Sequence, residues 1–264
     1  MISFVGGGPG AADLLTVRAV DRLERADVVV WASSLVPVEV VAMANPDAVV
    51  HDSAGMTFED ITAVYEAAGA ADQRVVRLHS GDVSIYSAIQ EQIDWCVDHQ
   101  CEFEIVPGVG SLAAASALIG RELTVPQVAQ SVVATRLPGR TSASMPPGET
   151  VQAFAHHRTT MAVYLSGARP EQLRDELLAD GDGYPADTPA AVVVRASWPD
   201  ERVHLTTVGD LAETIRADGA RTVILVIVGP ALAGAAPRCH LYDPTYAHGF
   251  RRRSLPGTTT GRPA

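Results

Sequence analysis

An apolar strand, Ile2 to Val5, runs directly into Gly6-Gly7-Gly8-Pro9-Gly10. A glycine cluster at the carboxyl end of a first strand lets the backbone turn sharply and lie close to another backbone or a ligand. In open α/β sheets that is where ligands bind. The loop does not read as a dinucleotide fingerprint. Gly6, Gly8 and Ala11 match G-x-G-x-x-G only loosely, and Pro9 removes a backbone N–H that a pyrophosphate would use. A P-loop is excluded because no Lys-Ser or Lys-Thr pair follows. The first helix is expected late, capped by Asp13 or Thr16. Taken alone, the loop reads equally well as a plain strand-to-helix turn.

Apolar runs recur with helical patterns between them. Strands are expected at Ile2–Val5, Val28–Trp31, Val75–Leu78 and Phe103–Val106, with helices near Thr16–Arg25, Phe58–Ala68 and Ile85–Val97. A second set follows at Ser131–Thr135, Met161–Leu165, Ala190–Val194 and Val223–Val228, with helices near Pro170–Ala179 and Gly209–Arg216. This alternation predicts an α/β protein of two α/β domains with mostly parallel sheets, the second of them mixed, and a cleft between them. The 264 residues allow that division. The boundary is expected at Pro107–Ser111, before an Ala-rich helix, giving domains at 1–111 and 112–235 and a tail at 236–264 whose composition predicts disorder from about Gly257. Leu137–Gly148 reads as a surface loop or lid.

Three glycine-bearing loops, Gly6–Gly10, His79–Asp82 and Pro107–Ser111, follow strands that would be parallel, so all three should line one sheet edge. From the second half, Leu165–Ala168 and Arg195–Glu201 would close over them. Trp198-Pro199 reads either as a surface turn or as a wall of that cleft.

Composition narrows the function. The formal net charge of −11 argues against nucleic-acid binding. A polyanionic substrate would need local arginines, for which Arg77, Arg136, Arg140 and Arg195 are candidates and the run Arg251–Arg253 a weaker one. No apolar stretch approaches about 18 residues, so no membrane span is expected. No signal peptide is visible. Three cysteines without framework spacing read as reduced thiols of a cytoplasmic protein. No metal is expected: H-E-x-x-H and paired C-x-x-C are absent, and His156 and His157 are adjacent. A nucleophile elbow is absent too. His79 is either a general base or, preferably, a packed structural residue. A cleft without covalent or metal machinery suits either a reaction run by positioning or a pure binding protein.

Several segments resemble the tetrapyrrole (uroporphyrinogen III/precorrin) methylases over roughly residues 1–230. They are Val5–Gly10 followed by Asp13–Val17, Ala26–Trp31 with Ser34–Pro37, His79–Asp82 through Tyr86, and Val106–Val109. Ser34–Pro37, Leu78–Asp82 with Ser84–Tyr86, Ala129–Val133 and Arg195–Arg202 are most similar to the members that methylate C-11 of precorrin-4. The resemblance implies methylation of precorrin-4 or cobalt-precorrin-4 in cobalamin biosynthesis. The methyl donor would be S-adenosyl-L-methionine and the product S-adenosyl-L-homocysteine, on a cytoplasmic homodimer acting on a polycarboxylate tetrapyrrole. It assigns Pro9, Ser80, Gly81, Asp82, Ile85, Gly110, Ser111, Leu165 and Ala196 to the cofactor. Gly8, Ser34, Arg136 and Arg195 would meet the substrate, and Asp82 is the candidate for a catalytic role by steadying the sulfonium. Val83 stands where many relatives have Pro. Ala32-Ser33-Ser34 stands where some uroporphyrinogen methylases carry Asp, which speaks against that substrate. Methylation at C-20 or C-17, an NAD(P)-dependent oxidoreductase and a non-catalytic cofactor-binding protein are the alternatives.

Overall fold

In a computed structural model, residues 1–138, 142–146, 148–234, 237–251 and 253–254 are described. Arg140, Arg252 and the chain from Gly257 lie outside them, and Leu137–Gly148 is described in part.

The first sheet holds β1 (Ile2–Gly6), β2 (Val28–Trp31), β3 (Val49–Asp52), β4 (Val75–His79) and β5 (Phe103–Val106) in the order β3-β2-β4-β1-β5. Every pairing is parallel. Helices cover both faces, so the central strands are apolar on both sides. Val5, Val29, Val76, Leu78 and Val106 pack towards the helices Val17–Glu24 and Val38–Val41. Ile2, Phe4, Val28, Val30 and Val75 pack towards Phe58–Ala70 and Gln90–Asp98. Thr16 caps the first long helix, its hydroxyl accepting from Ala19 N at 3.1 Å, so that helix does begin late. A short 3-10 turn, Ala12–Leu14, fills the gap.

The second sheet holds β6 (Val132–Arg136), β7 (Thr160–Tyr164), β8 (Pro189–Val194), β9 (Arg202–Thr207) and β10 (Ile224–Val228) in the order β6-β7-β10-β8-β9. Only β6 and β7 pair in parallel, so this sheet is mixed. The helix Ser111–Ile119 packs Ala114 and Ala115 against Ala162, Ala191, Val193, Leu225 and Ile227 on one face. Pro170 opens the helix Pro170–Leu178 on the other, as expected of proline in a first turn.

Three expectations are corrected. Each sheet has a fifth strand, β3 and β9, at an edge, where half-exposed side chains such as Val49, Val50 and Leu205 weaken the apolar signal. The helix expected from Ile85 begins only at Gln90, because Tyr86 (φ 55°) and Ala88 (φ 48°) take left-handed backbone incompatible with a helix.

β4, β1 and β5 are neighbours, and their exit loops meet backbone to backbone. Gly7 N donates to His79 O (2.7 Å), and Gly8 and Gly81 exchange N–H···O bonds of 3.1 and 2.7 Å. A methyl group on Gly6 would lie 2.6 Å from Gly108 N, and one on Gly108 would lie 2.8 Å from Gly6 Cα. Gly108→Ala is therefore expected to lower stability by roughly 1–3 kcal/mol. Gly110→Ala, whose added carbon meets nothing nearer than 3.8 Å, should be close to neutral in the same thermal melts.

Candidate active site

Asp82 ties the loops together. Its Oδ2 accepts from Gly108 N at 2.9 Å, and its Oδ1 accepts from Ser84 N at 2.9 Å and from the Ser84 hydroxyl. Burial pushes this carboxyl's pKa up. The bonds from Ser84 and from the Gly108 and Val83 backbone outweigh that and hold it below the usual carboxylate range.

The second half reaches across through Trp198. Its indole N–H donates to Pro9 O at 2.9 Å, and Ala11 N donates to Ser197 Oγ at 3.0 Å. The indole lies so close over Gly10 that a methyl group there would stand 2.6 Å from Nε1. Trp198 is a clasp between the halves; it lines the hollow beyond Pro9 and not the cavity between the sheets, so it anchors the cleft without walling it.

Between the sheets lies a cavity of about 440 Å³, within the range of small-molecule sites. Pro9, Ser80, Gly81, Asp82, Ile85, Gly110, Ser111, Leu165 and Ala196 all line it. Tyr86 and Tyr164, both on its wall, pack against each other with ring centroids 5.1 Å apart. Leu35, Ile85, Tyr86 and Leu165 are exposed apolar side chains on its walls. A second hollow of about 510 Å³ lies beyond Pro9, lined by Gly10–Leu14, Pro37, Glu39, Ser197–Pro199 and Glu201.

The residues assigned to the substrate are more scattered. Gly8 is buried in its bridge to Gly81, and Ser34 is exposed in the turn after β2, beside Leu35. Arg136 ends β6 next to Tyr164, and its Nη2 donates to Ser144 Oγ at 2.8 Å. Burial pushes the Tyr86 phenol's pKa up, and the Arg136 charge offsets part of that rise. Arg195 pairs with Asp200 at 2.8 Å and lies 5.1 Å over the Trp198 ring, lining neither hollow. It braces the clasp. His79 is buried. Burial, then the nearby Arg77 charge, pulls its pKa down to about 3 against a backbone contact with Ser87, and its Nε2 is closed off without a partner. His79 lies on the cavity wall, but its Nε2 is shielded and burial keeps the ring a weak base, which favours the packed reading.

Comparison with known proteins agrees with this geometry. Residues 1–212 match the family of Tetrapyrrole (Corrin/Porphyrin) Methylases. The chain belongs to the tetrapyrrole methylases. A precorrin-4 C(11)-methyltransferase of Sinorhizobium sp is 44% identical over 253 residues, 96% of this chain and 98% of that one. The cobalt-precorrin-4 C(11)-methyltransferase of Methanocaldococcus jannaschii is 39% identical, covering 95% and 96%. Among solved structures, a cobalt precorrin-4 methyltransferase superposes with a TM-score of 0.83 at 38% identity, over 88% of this chain and 95% of that one. The uroporphyrin-III C-methyl transferase of Thermus thermophilus, complexed with S-adenyl homocysteine, gives 0.72 at 29%, over 88% and 98%.

In this tetrapyrrole methylase, Tyr164 and the segment Arg221–Leu225 also line the cavity, and sequence reasoning missed them. It considered only loops leaving strands. β10 runs antiparallel to β7 and β8, so the segment entering β10 shares the edge with the loops leaving those two strands. Arg195 N donates to Val223 O at 2.9 Å across that edge. Leu165 (φ 54°), Arg195 (φ 50°), Ser197 (φ 66°) and the β-branched Val223 (φ 54°) are all left-handed there, each costing about 1–3 kcal/mol.

Asp82 carries a pH signature. Its carboxyl titrates lower in the folded protein, so its stabilisation is present above the ordinary carboxylate pKa and is lost as pH falls through the folded value. Wild type should exceed Asp82→Asn by about 1–2 kcal/mol at neutral pH, with the gap closing below about pH 4. Chemical denaturation across pH checks this. Trp198→Phe, which removes the bond to Pro9, should weaken S-adenosyl-L-homocysteine binding several-fold in calorimetry.

Proposed function

We propose that the chain transfers the methyl group of S-adenosyl-L-methionine to C-11 of precorrin-4 or cobalt-precorrin-4. The observation that carries this is the convergence of all nine residues assigned to the cofactor on one cavity between the sheets. The precorrin-4 methyltransferases named above, which match nearly the whole chain, support the ring position.

The glycine walls leave space where a ligand can lie: methyl groups on Gly81 and Gly110 would meet nothing nearer than 3.6 and 3.8 Å. Bound there, S-adenosyl-L-methionine supplies an electrophilic methyl sulfonium. The chain supplies shape and alignment, an effect that can account for about 7–11 kcal/mol of a barrier. The hollow beyond Pro9 carries Asp13, Glu39 and Glu201, which would repel a polycarboxylate. We therefore place the macrocycle at the apolar mouth formed by Leu35, Ile85, Tyr86 and Leu165, within reach of Ser34 and Arg136. Guanidinium–carboxylate pairing would fix its orientation. Asp82 acts on this view through Gly108 and the loop it holds.

We also propose domains at 1–111 and 112–235 and a cytoplasmic homodimer. Among the described residues no helix is long and apolar enough to cross a membrane, and Cys96, Cys101 and Cys239 are free thiols.

The direct test is incubation with carbon-13-methyl-labelled donor and precorrin-4 or cobalt-precorrin-4, read by carbon-13 NMR. One new methyl on C-11 is expected, and a methyl at C-17 or C-20 would reassign the enzyme. Arg136→Ala should raise KM for the tetrapyrrole about tenfold and leave S-adenosyl-L-homocysteine affinity within twofold.

A further inference from the structure

Arg77 is a buried cation. It lies on β4, between Val75 and His79 on the face covered by Phe58–Ala70 and Gln90–Asp98, and is 8% exposed. Its Nη1 donates to Ser53 Oγ (2.9 Å) and Val30 O (3.3 Å), and its Nε donates to Gln92 Oε1 (3.3 Å). Gln92 is itself fixed by the Tyr65 hydroxyl at 2.7 Å. All these acceptors are neutral. Among the described residues no carboxylate pairs with Arg77. The neighbouring His79 ring, neutral or cationic but never anionic, supplies no counter-charge.

Burial pulls the Arg77 pKa down, but a guanidinium remains protonated. A buried charge without a counter-ion is costly, and three aligned neutral acceptors hold this one in a fixed pose. Nη2 makes no hydrogen bond to the described residues, yet it is not among the side-chain nitrogens closed off from solvent. Arg77 lines the cavity, together with Ala32, Leu35 and Ser87. A firmly held cation with one unbonded nitrogen thus belongs to the lining of a ligand cleft in a protein of net charge −11.

We propose that Arg77 is a carboxylate-binding residue at the floor of the cleft, its Nη2 supplying the charge that receives an anionic group of a bound reactant. This rests on the reading of the cleft as the methyl-transfer site. Two reactants carry the required chemistry: the amino-acid end of the methyl donor, and the rim of the macrocycle.

Calorimetry with S-adenosyl-L-homocysteine and with methylthioadenosine, which lacks the amino-acid end, separates the sources when read beside KM for precorrin-4. If Arg77 holds the donor, Arg77→Met lowers S-adenosyl-L-homocysteine affinity at least about tenfold and changes methylthioadenosine less than twofold, with Arg77→Lys recovering part of the loss. If it holds the macrocycle, both nucleoside affinities stay within twofold and the precorrin-4 KM rises by a similar factor. Equal losses for both nucleosides, or no change in any of the three, overturn the inference. An arm on the unsubstituted protein stands apart from folding of the variant and from the methyl-donor reading. The Arg77 Nε–H signal in nitrogen-15 NMR, assigned through its own backbone, should move with added acetate and not with acetamide. A signal blind to acetate also overturns the inference. Wild type that binds neither nucleoside while still responding to acetate would remove the methyl-donor reading and leave the carboxylate site.

Discussion

Everything at the cleft depends on three stretches of backbone lying closer than side chains would permit. Gly6 and Gly108 touch at their main chains, and Gly8 pairs with Gly81. This contact is possible because β4, β1 and β5 are adjacent and parallel, which brings their exits to one edge. Asp82 then spends its carboxylate on holding that junction, bonding Gly108 and Ser84. The loops therefore present a rigid, side-chain-poor wall to a ligand. Rigidity of this kind is what a reaction driven by alignment needs.

The second half completes the wall by a different device. Its mixed sheet brings the entry to β10 beside the exits of β7 and β8, and the backbone there is left-handed at four non-glycine residues. Trp198, braced by Arg195, crosses to Pro9 and packs on Gly10. The left-handed turns lie at or beside Leu165 and Ala196, which line the cavity, and the clasp joins the halves at Pro9.

Much of this was legible in the amino-acid sequence because it depends on parallel topology and glycine spacing. The three exit loops, the late helix capped by Thr16 and the boundary-spanning helix after Gly110 all follow from local chemistry. Edge strands β3 and β9 were not legible, since half-buried strands lack a continuous apolar run. Arg221–Leu225 and Tyr164 escaped because antiparallel pairing reverses which end of a strand faces the ligand. Arginine roles were the hardest to read. Arg195 reads as a substrate grip, whereas its guanidinium pairs with Asp200 over the Trp198 ring and lines neither hollow, and Arg77 sits in a strand that reads as plain core. A sequence shows that a guanidinium exists, and only packing shows which of its edges is left unbonded.

We propose that the methyl donor lies between the sheets, against the glycine junction and on the Leu165 side of Pro9. A crystal structure with S-adenosyl-L-homocysteine tests it most directly. Ligand density in contact with Pro9, Ser80–Asp82, Ser111 and Ala196 is the expected result. Density in the acidic hollow lined by Gly10–Leu14 and Glu201, with the inter-sheet cavity empty, would contradict it.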